Sequence, residues 1–461
     1  MTAIDRSRLP TPGPDPAFRL PVVRRRRLPS GLEIRTVEHR GVPVVSFLLL
    51  LSSGAAADPP PQPGLAALTA DMLDEGSGTL SALDVEDALS SMGAQFETEV
   101  GLDATVLSLL TLPRFSGQAL GLLADMVVRP RLSETDLDRV RDLRLNRLRQ
   151  LRDLAPAVAD LVFARVLYDA HPYGKLPIGT TRGLEGASVA DVRAFHGAAW
   201  RPTDVTVIAA GDASHDELSD AVERAFAGWA ESASGTAPAA SAFSAAASVP
   251  APALPSVPLA LVDRPGAAQS ELRIGQVAVP RVTPDYYPLL VLNTILGGQF
   301  VSRLNMNLRE DKGYTYGVRS GFEFRRAPGP FSVQAAVQTA ATGAAVREVL
   351  NEIDAIRTSR PPTLAELDLA KSALTRGYAR SFETAGQIGR GLAQLALYDL
   401  PDDTLERFVS SVQAVDVAAV TAAAERLDLS RTTVTVVGDR ERIEPDLAAL
   451  GLGQPAVMGI D

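Results

Sequence analysis

Cysteine is absent from all 461 residues, which removes disulfides, thiol nucleophiles and thiolate metal ligands together and is compatible with a reducing compartment. Histidine is scarce: only His39, His171, His196 and His215 occur, and no two stand four apart, so no helix face offers one metal a pair of imidazoles. The chain itself is therefore expected to hold no metal and no cofactor. His39 and His215 lie in polar, turn-like phrases and are expected in solvent. His171, in AHPYGKLPIGTT, reads as a loop anchor, and His196, in VRAFHGAAWRPTD, as a helix-end residue that satisfies a carbonyl.

Other absences narrow the function further. Neither a G-x-S-x-G nucleophile turn nor a phosphate-cradling G-x-x-x-x-G-K-S/T loop occurs. The most apolar stretch, Val44 to Leu51, falls far short of the ~20 residues a membrane helix needs and suits a buried strand. The first forty residues scatter arginines among prolines with no apolar core of the ~7–15 residues of an export signal. A cytoplasmic location is expected, or a periplasmic one if the N-terminus is trimmed. Formal net charge is -10, with both signs interspersed, so no positive field awaits nucleic acid.

What is present is an ordinary globular composition, 46% hydrophobic and 22% charged, in a chain too long for one core. The Ala/Ser/Pro tract from Glu231 to Ser256 has no structural period and divides it nearly in half. Each half closes on the same phrase, DVTVIAAGD ending at Asp212 and TTVTVVGD ending at Asp439, a β-branched strand stopped by Gly-Asp. Each also opens on strands (LEIRTVEH and VVSFLLLL; LALVD and ELRIGQVAV) and continues into amphipathic helices such as 134–154 and 363–378, with Ser133 and Thr363 placed as N-caps. The expected fold is α+β: two tandem homologous halves, each an antiparallel-rich sheet packed by helices. The expected boundaries are an extension at 1–20, a first domain at 21–230, a linker at 231–256 and a second domain at 257–461.

GLAALTADMLDEGSGT, from Gly64, reads as an amphipathic helix ending near Gly76. With LPSGLEIRTVEHRGVPVVSF before it, HPYGKLPIGT and the Gly211-Asp212 strand end after it, and the whole second half, it resembles the pitrilysin/insulinase family of zinc metallopeptidases. That family carries an inverted H-x-x-E-H motif on such a helix, two histidines binding zinc and the glutamate activating water. Here the first ligand falls on Ala67, the general base on Ala70 and the second ligand on Asp71. A third ligand, a glutamate some seventy to eighty residues on, has no counterpart, because no glutamate lies between Thr135 and Leu184. The resemblance thus implies a lost zinc site.

The second half keeps what the first has lost. LGGQFVSRLNMNLREDKGYTYGVRSGFEF, from Leu296, resembles the family's C-terminal substrate motif, with Arg309 and Tyr316 seven residues apart. A guanidinium fork can hold peptide carbonyls, and a tyrosine hydroxyl can donate to a developing oxyanion. The plainer use of these residues is Arg309 pairing with Glu310 or Asp311 and Tyr316 filling a sheet. Gly297 and Gly298 read as a turn of close backbone approach.

The resemblance implies a bacterial heterodimer in which this zinc-free subunit lends Arg309 and Tyr316 to a homologous partner holding zinc, for peptide hydrolysis. It also implies an edge strand for peptide pairing at Gln95 to Val100, with Gln95, Phe96, Glu97 and Thr98 touching substrate. The alternative is an inert scaffold like the core subunits of respiratory complexes.

Overall fold

The two Gly-Asp phrases become inner strands of two six-stranded sheets. The computed structural model describes residues 18–229 and 257–460; most of the expected N-terminal extension and the linker lie outside the described residues. In the first sheet, β1 (Val23–Arg27), β2 (Glu33–Glu38), β3 (Val45–Leu51), β6 (Gln95–Val100), β7 (Thr105–Thr111) and β8 (Val205–Gly211) run in the order β1-β2-β8-β3-β7-β6. The short β4 (Gly76–Ser77) and β5 (Leu80–Ser81) form a ribbon beside it. In the second, β9 (Leu259–Asp263), β10 (Gln269–Val277), β11 (Val318–Phe322), β12 (Pro330–Gln338), β13 (Thr433–Gly438) and β14 (Ala456–Val457) run β11-β12-β10-β13-β9-β14.

Read from opposite ends, the two orders coincide: β6, β7, β3, β8 and β2 match β11, β12, β10, β13 and β9. Even the parallel pair recurs, β2 with β8 and β9 with β13. Only the outermost strand differs, β1 being antiparallel to its neighbour and β14 parallel. The α+β duplication expected from the repeated phrase is thus what the chain adopts.

The first half contributes α1 (Leu65–Asp71), α2 (Ala82–Ser91), α3 (Ser116–Val128), α4 (Glu134–Asp153), α5 (Ala155–Tyr168), α6 (Thr181–Glu185), α7 (Val189–Ala199) and α8 (His215–Ala225). The second contributes α9 (Tyr286–Leu296), α10 (Thr342–Arg357), α11 (Leu364–Thr375), α12 (Ala385–Leu397), α13 (Phe408–Ala414), α14 (Val417–Ala424) and α15 (Arg440–Ala448). Ser133 and Thr363 cap α4 and α11 as expected, and at Thr363 the cap is reciprocated by Glu366.

The halves exchange a helix. One face of the first sheet (Val45, Phe47, Leu49 and Leu51 of β3) packs on helices of its own half, including α1, α3 and α7. Its other face (Val37, Leu48, Leu50, Ile208 and Ala210) is covered by Ala385, Ile388 and Leu392 of α12, from the second half. Reciprocally, Val158, Ala159, Val162 and Val166 of α5 cover Ala260, Val262 and Val437 of the second sheet. A strand buried on both faces needs apolar residues at successive positions rather than alternate ones, which is why β3 reads as an unbroken run. A loop latch adds to this packing. The Tyr173 hydroxyl donates to Asp103 at 2.5 Å and accepts the Ala327 N–H at 3.2 Å, while the Arg326 N–H reaches the other Asp103 oxygen at 2.8 Å. Burial raises the Tyr173 pKa and keeps that donor protonated.

Two expectations need correction. The motif helix is no amphipathic run to Gly76: α1 ends at Asp71, and its first six residues are all buried, because α4, α6, α7 and β6 surround it. His215 is not in solvent either. It is buried at the start of α8, where Thr36 Oγ1 meets Nδ1 at 2.8 Å and Glu38 accepts its backbone N–H at 3.0 Å. His39 is partly exposed and touches the Glu383 carbonyl at 3.0 Å, and His171 anchors its loop by accepting the Tyr173 N–H. No single described helix is long and apolar enough to cross a membrane; one bent pair passes by length and composition only, and its Val412, Val420, Ala423, Ala424 and Leu427 lie in the second half's core.

His196 meets the Val127 carbonyl at 2.9 Å, and burial lowers its pKa to about 4. The unfolded chain, near 6.5, then binds the extra proton first, so this histidine's contribution to stability is lost as pH falls from about 6.5 toward 4. Asp58, raised to about 6 by burial, acts in the opposite sense over much of that window, so the informative quantity is a difference. Stability of the native chain relative to His196→Gln should fall by about 2 kcal/mol between pH 7 and pH 5 in urea unfolding; a constant difference would contradict the assignment.

Candidate functional site

α1 is fixed at its start by backbone contact. Gly64 has φ +101° and lies so close to Gly179 that a Cβ on Gly64 would sit 2.8 Å from the Gly179 Cα, a backbone conformation and a proximity that glycine accommodates. The phrase HPYGKLPIGT thus serves to seat the motif helix. Asp58 completes the seat by accepting N–H groups of Gly64 and Ala66 at 2.6 and 2.7 Å.

On this helix Ala67 and Ala70 are 3% and 1% exposed. Asp71, at the end of the helix, is ion-paired with Arg144, which α4 delivers across the cavity. The same guanidinium donates from Nη2 to the Pro177 carbonyl at 3.2 Å and toward that of Ile178 at 3.4 Å. Asp71 and Arg144, with Phe96, Thr98, Leu143 and Arg147, line a cavity of about 390 Å³.

Zinc does not fit here. Two alanines offer no lone pair, two of the three carboxylates lining the cavity are engaged, Asp71 by Arg144 and Glu75 by Arg139, leaving Asp74, and the helix that faces it presents arginines rather than a glutamate. Among the described residues no group of three metal-ligating side chains occurs. Sequence reasoning missed Arg144, although a signal existed: α4 carries Arg139, Arg141, Arg144, Arg147, Arg149 and Arg152 in the span that lacks glutamate.

Arg309 and Tyr316 sit elsewhere, at the entry to β11. Arg309 lies in a π-helical turn, Asn305–Asp311, a distortion frequent at functional sites. Asn305 ties that turn to the strand, donating to the Val318 carbonyl at 2.8 Å and accepting the Val318 N–H at 3.1 Å. Thr315 and Gly317 are held in turn: Thr315 Oγ1 donates to the Ala336 carbonyl at 2.7 Å and accepts the Gly317 N–H at 3.1 Å. Between these two anchored residues Tyr316 is 94% exposed. It fills no sheet.

Arg309 stacks over Phe300, 3.9 Å from the ring centre. Its Nη1 lies 3.0 Å from Glu310 but is misaligned and makes no hydrogen bond. Ahead of this turn a Cβ on Gly297 would sit 2.5 Å from Ser320 Oγ, the close approach expected of Gly297-Gly298.

The expected edge strand is at an edge: β6 pairs only with β7. Glu97, Thr98 and Glu99 border a chamber of about 1330 Å³ between the exchanged helices, lined also by Phe163 and Tyr168 of α5 and Gln387 and Gln394 of α12. Gln95 and Glu97 border a smaller cavity of about 420 Å³, and Phe96 and Thr98 the one beside Asp71. Neither Arg309 nor Tyr316 lines these spaces. The chain therefore brings Phe96 and Thr98 of the edge strand together with Asp71 and keeps half-buried Arg309 and exposed Tyr316 apart from them.

A duplicated α+β unit with exchanged helices, a degenerate metal helix and an edge strand is the architecture of half a clamshell peptidase. Residues 35–176 match the model for "Insulinase (Peptidase family M16)" and residues 186–374 that for "Peptidase M16 inactive domain". The "uncharacterized zinc protease" of Mycobacterium tuberculosis is 27% identical over 426 residues, spanning 92% of this chain and 94% of that protein. Its namesake in Streptomyces coelicolor is 25% identical over 306 residues, 65% of this chain and 64% of that protein. A "peptidase M16 inactive domain" structure from Pseudomonas fluorescens superposes with a TM-score of 0.82 at 27% identity, over 90% of this chain and 98% of that one. A Helicobacter pylori protease structure gives 0.80 at 18% identity, over 91% and 100%, which speaks to fold alone. The chain belongs to the pitrilysin/insulinase family of peptidases.

If Arg144 tethers α1 to α4, a double-mutant cycle on Asp71→Ala and Arg144→Ala should give a coupling of about 0.5–3 kcal/mol in urea unfolding. Strict additivity would remove the pair from the account.

Proposed function

We propose that this chain is the zinc-free subunit of a heterodimeric zinc metallopeptidase, lending Arg309 and Tyr316 to a homologous subunit that carries H-x-x-E-H and the zinc. The observation that carries this reading is an asymmetry. The motif helix is closed by Ala67, Ala70 and the Asp71–Arg144 pair, whereas Tyr316 is held outward between two anchored residues. An exposed phenol on a braced backbone suits donation to an oxyanion formed on another chain, and a guanidinium seven residues before it is suited to holding a peptide carbonyl.

The partner would supply water activation, this chain transition-state stabilisation, and β6 a strand against which peptide extends. Short or unfolded peptides are the expected substrates, since folded proteins cannot enter a closed chamber. A second reading, an inert scaffold, draws on Arg309 resting over Phe300 and beside Glu310.

Purified alone, the chain should hydrolyse no peptide and bind no stoichiometric zinc. Mixed with an H-x-x-E-H homologue, it should restore turnover, and Tyr316→Phe should lower kcat roughly 10²-fold with little change in KM. A rate in the mixture indifferent to Tyr316→Phe would leave only the scaffold.

A further inference from the structure

The edge strand β6 shows two chemically different faces to whatever pairs with it. Glu97 and Glu99 are exposed and border the chamber, while Phe96 and Thr98 are half-buried and border the cavity that also holds exposed Leu143, where Asp71 and Glu75 are ion-paired with Arg144 and Arg139 and Asp74 is the remaining acid. The other acids of the chamber are engaged: Asp160 by Arg273 at 2.6 Å, Glu323 by Arg325 at 2.5 Å and Asp103 by the Tyr173 hydroxyl. Glu97 and Glu99 have no partner among the described residues. Arg390, which extends from α12 and is also unpaired, lines the chamber with both Glu97 and Glu99 and the smaller cavity with Glu97. On the opposite face the unpaired cation is Arg147, at the solvent side of the cavity beside Asp71.

A peptide laid on β6 places its side chains alternately on these two faces, and a residue directly opposite Glu97 or Glu99 lies on their side. We infer that β6 selects extended peptides in which basic residues alternate with apolar ones. The Lys or Arg side chains then stand opposite Glu97 and Glu99, with the intervening apolar residue over Phe96, Thr98 and Leu143. This names a substrate class for the peptide-gripping role proposed above and rests on that role. Acidic residues at the same positions would face like charges directly across the strand pair, which is unfavourable.

The test measures fluorescence anisotropy of labelled peptides with the full chain alone, at low salt. One peptide has a Thr-Lys-Leu-Lys-Thr core, a second Thr-Glu-Leu-Glu-Thr, and a third the basic core N-methylated at the amides that would face β6. The basic core should bind roughly tenfold more tightly than the acidic one, and N-methylation should cost at least as much. Glu97→Gln with Glu99→Gln should abolish the preference, each single variant removing part of it. Both positions are exposed, and circular dichroism confirms folding.

Equal affinity for the two cores overturns the inference. So does an unchanged preference in the double variant, above all if that variant now self-associates, since the carboxylates would then only guard the edge. If the mixed enzyme turns over and responds to Tyr316→Phe while the chain shows no charge preference, the inference fails and the assisting role stands. The reverse pattern, preference without turnover, sustains the peptide site and removes the catalytic assistance.

Discussion

The exchange of α5 and α12 between halves is the constraint on which the rest of the molecule depends. Neither sheet can bury both faces with helices of its own half, so each borrows one, and the borrowed helices fix the halves in a single relation. That relation opens the chamber and sets β6 at its border. The Asp103–Tyr173–Ala327 latch closes the same interface with hydrogen bonds whose donors and acceptors are all used. Such an arrangement makes the duplicated chain one structural body rather than two beads on a linker.

Within that frame the two halves have diverged in charge and exposure. At α1, small buried side chains and an internal ion pair stand where the family pattern has metal chemistry, and the guanidinium bonds both Asp71 and the loop that seats the helix. At β11, a π-helical turn and two anchored residues hold an exposed tyrosine. The first arrangement turns inward and stabilises; the second turns outward and costs surface exposure of a large ring. An exposed tyrosine on a braced turn is what a contact with another molecule requires, and it has no evident use within the chain.

Much of this was legible in the sequence, for identifiable reasons. The Gly-Asp strand ends, the unbroken apolar run of β3 and the caps at Ser133 and Thr363 are local signals, and each forms the element it predicts. The edge strand at Gln95 to Val100 came from the family resemblance, and the fold places it at a sheet edge. What was not legible depends on tertiary placement. Periodicity shows that α5 has an apolar stripe but not that Val158 and Val162 serve the other half's sheet. His215 looked exposed because its neighbours are polar, yet Thr36 and Glu38, some 180 residues away in sequence, enclose it. The Arg144 pairing was hidden likewise: composition showed a missing glutamate, and only the fold shows which arginine reaches Asp71.

The central claim is that Tyr316 meets the peptide at the partner's zinc, and a photo-crosslink tests it most directly. A photoreactive phenylalanine derivative placed at Tyr316, irradiated in the mixed complex with a slowly cleaved peptide, should label that peptide within a residue or two of the scissile bond. Labelling confined to the partner protein, or to solvent, would contradict the account and leave a shared fold without shared chemistry.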